Sequence, residues 1–263
     1  MQNLIIRLYV FIFARVRFEK INNFLYRLSL GGLGILNYQT SQISGEKNFL
    51  KKYLQNKKGV ILDVGANEGS YTMEALEACS DPIIYAFEPH PVTFERLTKN
   101  TSIHPSVETI NCGLSDSPGE LTLFDYEHQD GSSHASLFSE VITEIHGSRT
   151  ATGHRVNLST LDGFLDEKNI TEVLLLKIDT EGNELAVLQG GLRAIQEKRI
   201  KAIHFEFNEM NAVSHVFFRD FWRLLDNYRI YRLLPNEMLE IKRYNPISCE
   251  IFAYQNIVAI LKD

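Results

Sequence analysis

A chain of 263 residues is long enough for one α/β core with a modest extension and short for two equal domains. Its 44% hydrophobic and 23% charged residues sit near globular averages, and no stretch is biased enough in composition to argue for disorder. A net charge of −6 argues against a protein built to grip phosphate backbones, since that task needs clustered Lys and Arg, so nucleic acid is not an expected partner.

The amino terminus, Leu4-Ile5-Ile6-Arg7-Leu8-Tyr9-Val10-Phe11-Ile12-Phe13, is apolar but interrupted, and Arg15 and Arg17 follow closely. A spanning helix needs roughly 20 apolar residues, and a signal peptide needs an unbroken apolar run ahead of small residues at a cleavage site. Neither pattern is present. Residues 1–45 are therefore expected to be a helical extension of a domain over 46–263. Within residues 1–30, Arg7, Arg15, Arg17, Lys20 and Arg27 suit a helix lying on an anionic membrane surface; packing on the main domain or in a homo-oligomer is the more ordinary alternative.

From Gly59 onward, β-branched runs alternate with helical stretches: Val60 to Leu62, Ser70 to Cys79, Ile83 to Phe87, then Pro91 to Asn100. That is the rhythm of a parallel sheet. It resumes with Val107 to Asn111, Val173 to Ile178, a helix over about Asn183 to Glu197, and Ile200 to Phe207. After a helix near Phe217 to Asn227, Tyr228 to Leu234 and Ile251 to Leu261 predict a terminal antiparallel pair. Between Glu120 and Thr160 lies a polar segment with Asp125, His128, Gly131, Ser132, Ser133 and His134, which reads as a lid over the strand ends. Cys79, Cys112 and Cys249 are odd in number and lack paired spacing, so they read as reduced residues of a cytoplasmic protein.

The strongest motif is Asp63-Val64-Gly65-Ala66-Asn67-Glu68-Gly69, followed by Ser70-Tyr71-Thr72. A buried strand runs into a glycine turn and a helix, which lets backbone pass close beneath a ligand. Asn67 stands where a dinucleotide fingerprint wants glycine, and this points away from NAD. Asp63 either holds the loop and faces the amino group of an amino-acid-like ligand or caps the next helix. The second element favours the ligand reading: a buried strand ends at Glu88, nineteen residues after Gly69, where a carboxylate accepts hydrogen bonds from both hydroxyls of a ribose. Ser115 and Asp116 follow the third strand and are candidates to contact an adenine ring, although Ser-Asp before Pro118-Gly119 is also ordinary turn chemistry.

The fourth element, Leu174 to Ile178 followed by Asp179-Thr180-Glu181-Gly182-Asn183-Glu184, ends a hydrophobic strand in carboxylates. Asp179 and Glu181 are placed for catalysis, with capping of the next helix as the alternative.

These motifs together resemble the FkbM family of S-adenosylmethionine-dependent methyltransferases. The matching residues are Asp63 to Gly69 with Tyr71-Thr72, Ala86-Phe87-Glu88-Pro89, Thr160-Leu161-Asp162, Leu176 to Gly182 with Glu184, and Val187-Leu188-Gln189-Gly190. Asn256 to Ile260 fits the closing strand. The resemblance implies a Rossmann-like class I methyltransferase fold: a mostly parallel seven-stranded sheet, helices on both faces and an antiparallel C-terminal strand. It also implies methyl transfer to a hydroxyl of a sugar, glycan or secondary metabolite. The cofactor residues are then Asp63, Gly65, Ala66, Asn67, Gly69, Tyr71, Thr72, Glu88, Ser115 and Asp116.

Transfer to an alcohol needs a group that accepts the hydroxyl proton near the methyl group. The candidates are Asp179, Glu181, Glu206 and His204; the last two share a face of one strand, and His204 reads equally as a satisfied core histidine. Asp179, Glu181 and Glu206 offer hard oxygen ligands, so a divalent metal is an open alternative. His204-Phe205-Glu206 lacks the downstream cysteine pair of a zinc deaminase. An NAD-dependent sugar oxidoreductase or epimerase is a second class, but its Tyr-x-x-x-Lys pair would have to be Tyr53 and Lys57, which precede the nucleotide strand. A non-catalytic cofactor-binding module is a third, and the intact acids give it no support. With a small-molecule or glycan acceptor, the protein is expected in the cytoplasm, or peripheral at the inner membrane face if residues 1–30 bind lipid.

Overall fold

The apolar runs of the sequence become strands as their periodicity requires, and a computed structural model describes residues 2–126 and 151–262. The chain opens with α1 (Gln2–Phe13), α2 (Glu19–Gly32), α3 (Ser41–Ser44) and α4 (Glu46–Leu54). Then β1 (Lys58–Val64), α5 (Ser70–Ala78), β2 (Asp81–Phe87), α6 (Pro91–Thr101) and β3 (Val107–Ile110) alternate. Proline at the first turn of α6 sits where a missing N–H costs nothing. Next come β4 (Gly113–Leu114), β5 (Gly119–Tyr126), β6 (Ala151–Ser159), α7 (Leu161–Glu167), β7 (Leu175–Ile178), α8 (Glu184–Gln189), α9 (Leu192–Gln196) and β8 (Ala202–Phe207). The chain closes with α10 (Met210–Val213), α11 (Phe218–Leu224), β9 (Tyr228–Leu233), β10 (Met238–Glu240), α12 (Pro246–Cys249) and β11 (Gln255–Leu261).

The main sheet runs β10-β9-β11-β8-β7-β1-β2-β3, with β3, β2, β1, β7 and β8 parallel and β11, β9 and β10 antiparallel. This is the mostly parallel Rossmann-like sheet with antiparallel C-terminal strands. The seven expected strands are present, and the three-residue β10 adds an eighth at the edge. β11 begins only at Gln255, because the Ala253 N–H bonds to Ile251 O and turns the chain where the sequence suggests extended backbone.

Three further expectations change. Both ends of the segment between Glu120 and Thr160 are strand, not lid: β5 and β6 pair antiparallel from Gly119↔Leu158 to Tyr126↔Ala151. Asp125 is buried there, 3.4 Å from His90 Nε2, while His128, Gly131, Ser132, Ser133 and His134 lie outside the described residues. The single helix expected over Asn183 to Glu197 is two short helices divided at Gly190 and Gly191, and a side chain at Gly190 would collide with the Ser115 carbonyl. Finally, residues 1–45 are not uniformly apart from the core. Leu30 and Ile35 are buried, Ile35 bridges to Gln255, and the Arg232 guanidinium donates to Leu33 O.

Strand alternation divides the core. Leu62, Leu176, Ile203 and Phe205 face α7, α9 and α11, while Ile61, Leu175, Ala202 and Val258 face α4 and α5. Toward the C-terminal strand ends, the second of these faces changes from apolar to charged.

Candidate active site

The same alternation that buries Ile61 and Leu175 brings Asp63 and Lys177 to that face two residues later. Asp63 pairs in register with Lys177, and Lys177 with His204, so three ionisable side chains lie in one row across β1, β7 and β8. Glu206 stands two residues above His204, opposite Asn256. Glu46, the first residue of α4, closes the group from above: its Oε1 is 4.0 Å from Lys177 Nζ and 3.9 Å from His204 Nε2.

Lys177 is 2% exposed. Its Nζ lies 3.7 Å from Asp179 Oδ2 and has no hydrogen-bond partner among the described residues. Burial alone would lower its pKa, but Asp179, Glu206, Glu46 and Asp63 together hold it above the ordinary lysine value. Conversely, burial pushes Glu206 well above the carboxylate range, with Asp179 adding to the shift and Lys177 opposing it. Asp63 rises to about 6 through burial, although Thr72 Oγ1 donates to its Oδ2 at 2.6 Å.

The turn after β1 carries the signature of a nucleotide site. The Gly65 and Ala66 N–H groups both donate to Phe87 O, tying the turn to β2. Gly65 has φ +82°, and a side chain there would run into the Asp179 carbonyl; its glycine is demanded by the neighbouring strand end. Glu88 accepts from Asn67 N at 2.9 Å and His90 N at 2.8 Å. Burial raises its carboxyl to about 7 despite those two bonds.

Loop 179–183 is organised by Glu184. Its buried Oε1 accepts from Thr180 N, Thr180 Oγ1 and Gly182 N, which supports Glu181 in a left-handed conformation at φ +52°. Asp179 and Thr180 do not cap α8, whose cap position is Asn183.

Two cavities meet at Gly65, Asn67 and Asp179. The first lies between Glu88, Pro89, Leu114, Leu123, Leu158 and Glu181. The second is lined by Glu46, Asp63, Ala66, Tyr71, Lys177 and Glu206 among others. The predicted residues therefore separate. Glu88 and Glu181 border the first cavity; Asp63, Ala66, Tyr71 and Glu206 border the second; Gly65, Asn67 and Asp179 border both.

Five predicted residues border neither cavity, among them Gly69 in the turn. Thr72 is buried against Asp63. Ser115 is buried and donates its N–H to Ser159 O, and Asp116 accepts from Ser117 Oγ. His204 is fully buried, with Nε2 2.9 Å from Asn256 Oδ1 and Nδ1 2.9 Å from the Tyr71 hydroxyl. Asn256 Oδ1 can only accept, so the neutral Nε2–H tautomer fits this network. Burial and Lys177 hold its pKa well below the usual histidine value, so the structure gives His204 the satisfied core role rather than that of a free base. Among the described residues, no three His, Cys, Asp or Glu side chains converge to hold a metal ion.

Lys177 and Glu46 are the site residues that sequence reasoning passes over. A lysine inside the buried run Leu174-Leu175-Leu176-Lys177-Ile178 is itself a signal, since lysine is almost never fully buried without a partner. Glu46 carries no local signal; only folding brings it over β7.

The model of the methyltransferase FkbM domain matches residues 63–233. The hexuronic acid methyltransferase AglP of Haloferax volcanii is 28% identical over 66% of this chain and 66% of its own length. Methyltransferase 1 of Beauveria bassiana is 32% identical over 49% of this chain and 57% of its own. The 31-O-demethyl-FK506 methyltransferase FkbM of Streptomyces tacrolimicus is 28% identical over 65% of this chain and 74% of its own. The chain thus spans just under two thirds of the first and little more than half of the second.

Proposed function

The chain belongs to the methyltransferase FkbM domain family, and from that premise we propose that it transfers a methyl group from S-adenosylmethionine to a hydroxyl of a small molecule or glycan. One relative acts on hexuronic acid and another on 31-O-demethyl-FK506, which supports an oxygen acceptor. The observation that carries the reading is Glu88, buried at the end of β2, fixed by two backbone amides and bordering the first cavity.

When bound, S-adenosylmethionine supplies a methyl group on a positively charged sulfur. The residues present fit it: Glu88 would accept from ribose hydroxyls, the apolar Leu114, Leu123 and Leu158 would cover a base, the acids of the second cavity would favour a cation, and Lys177 Nζ has hydrogen bonds left to donate. Transfer of that methyl to an alcohol would leave the hydroxyl proton to be taken up by a carboxylate of the chain. Glu206 is a candidate for that step from its place in the wall of the second cavity. Asp179 borders both cavities and Glu181 the first, so both would be within reach of a cofactor and acceptor held there.

Titration calorimetry tests the cofactor reading. S-adenosylhomocysteine binds and NAD does not, and Glu88→Gln weakens binding by about 1–3 kcal/mol. Saturable NAD binding with no response to S-adenosylhomocysteine overturns it. Asp179→Asn and Glu206→Gln are expected to cut transfer by about 10²–10⁴-fold, measured on an acceptor found by screening neutral and uronic glycans, while sparing S-adenosylhomocysteine affinity.

A further inference from the structure

Residues 1–30 take no part in the chemistry above, yet they are built with care. The Tyr9 hydroxyl donates to Asn22 Oδ1 at 2.6 Å, Asn22 Nδ2 donates to Phe13 O at 3.1 Å, and Tyr9 and Phe13 stack at 4.8 Å. α1 and α2 are thereby locked to each other through polar groups. Their apolar side chains point outward: Leu4, Ile5, Phe11, Val16 and Phe24 are 61–88% exposed. This arrangement is the inverse of a water-facing helical pair, in which apolar groups meet and polar groups face solvent.

Charge identifies what covers the face. Arg7, Arg15, Arg17, Lys20 and Arg27 stand against Glu19 alone in residues 1–45, within a chain of net charge −6. A second copy docked on this segment would bring five more cations and a single further acid to it. An anionic lipid surface instead matches both the apolar residues and the charge. The 12 residues of α1 extend about 18 Å, short of the roughly 30 Å hydrocarbon core, and no described helix is long and apolar enough to cross a membrane. We propose that α1 and α2 form an arm that lies in the interface of an anionic bilayer, with Leu30 and Ile35 fixing it to the sheet domain.

The test is sedimentation of the full chain with vesicles of phosphatidylcholine, alone or mixed with phosphatidylglycerol, at low and high salt. Binding is expected on the mixed vesicles, at least about tenfold stronger than on the neutral ones and weakened by salt. Arg7→Gln, Arg15→Gln and Arg17→Gln combined should lower it about a hundredfold, at about 1 kcal/mol per charge. Phe11→Glu, a change on an exposed side chain, should abolish it while leaving the melting temperature and S-adenosylhomocysteine affinity in place. Absence of binding to the anionic vesicles overturns the proposal. So does a Phe11→Glu variant that binds as well as wild type, or a lipid-independent dimer that Phe11→Glu splits.

Discussion

If Glu88 holds a ribose as proposed, its own proton is coupled to the ligand. Burial raises its carboxyl to about 7, and hydroxyl donors favour the ionised form, so binding must release the proton. S-adenosylhomocysteine affinity should therefore rise about tenfold between roughly pH 6 and pH 8, and Glu88→Gln should flatten that slope in calorimetry. The free protein behaves in the opposite sense. In the unfolded chain Glu88 ionises near 4.5 and in the folded chain near 7, so across that window the native state keeps a proton the unfolded state has lost and stability falls as pH rises. Chemical denaturation at several pH values should show Glu88→Gln gaining on wild type through this window. Lys177 is the counterpart. Lys177→Met leaves Asp179, Glu206, Glu46 and Asp63 without their buried cation, and we expect a loss of about 3–5 kcal/mol, smaller in acid where the carboxyls are neutral. A denaturant midpoint unchanged by the substitution would refute this compensation. Gly65→Ala forces a side chain toward the Asp179 carbonyl at positive φ; the backbone conformation alone costs about 1–3 kcal/mol.

At the scale of elements, the β7–α8 connection acts as one unit. Asp179 and Glu181 owe their positions to a loop whose amides converge on Glu184, a residue that touches neither cavity. Glu184→Ala should cost about 3 kcal/mol and speed amide hydrogen exchange at Thr180 and Gly182 before it affects β1 or β2. Equal loss of protection throughout the sheet would show that the loop has no separate stability. The β5–β6 pair has a similar office: Leu123 and Leu158 reach the first cavity from a sheet separate from the main one, so that wall of the cavity is made of strand.

Over the whole molecule, the boundary of the extension follows burial. A chain beginning at residue 29 keeps Leu30 and Ile35 and should melt within about 0.5 kcal/mol of wild type, the usual effect of changing exposed positions. A chain beginning at Glu46 loses both side chains and the bridge to Gln255, at a cost of about 3 kcal/mol or more. Comparing the two by calorimetry locates the domain edge.

The parallel sheet, the glycine turn and the carboxylates at Glu88 and Asp179 were legible in the order of residues, because strand periodicity and turn chemistry are local and each motif lies within one strand-to-helix step. The division of the acids between two cavities was decided by tertiary structure alone. Asp63, Lys177 and His204 come from strands 27 to 141 positions apart and meet only through sheet register, and Glu46 joins them from a helix ahead of the first strand. Whether a buried charge is a base, a counter-ion or a satisfied core group depends on which partners that register places within a few ångströms, and nothing in a residue's immediate neighbours specifies them.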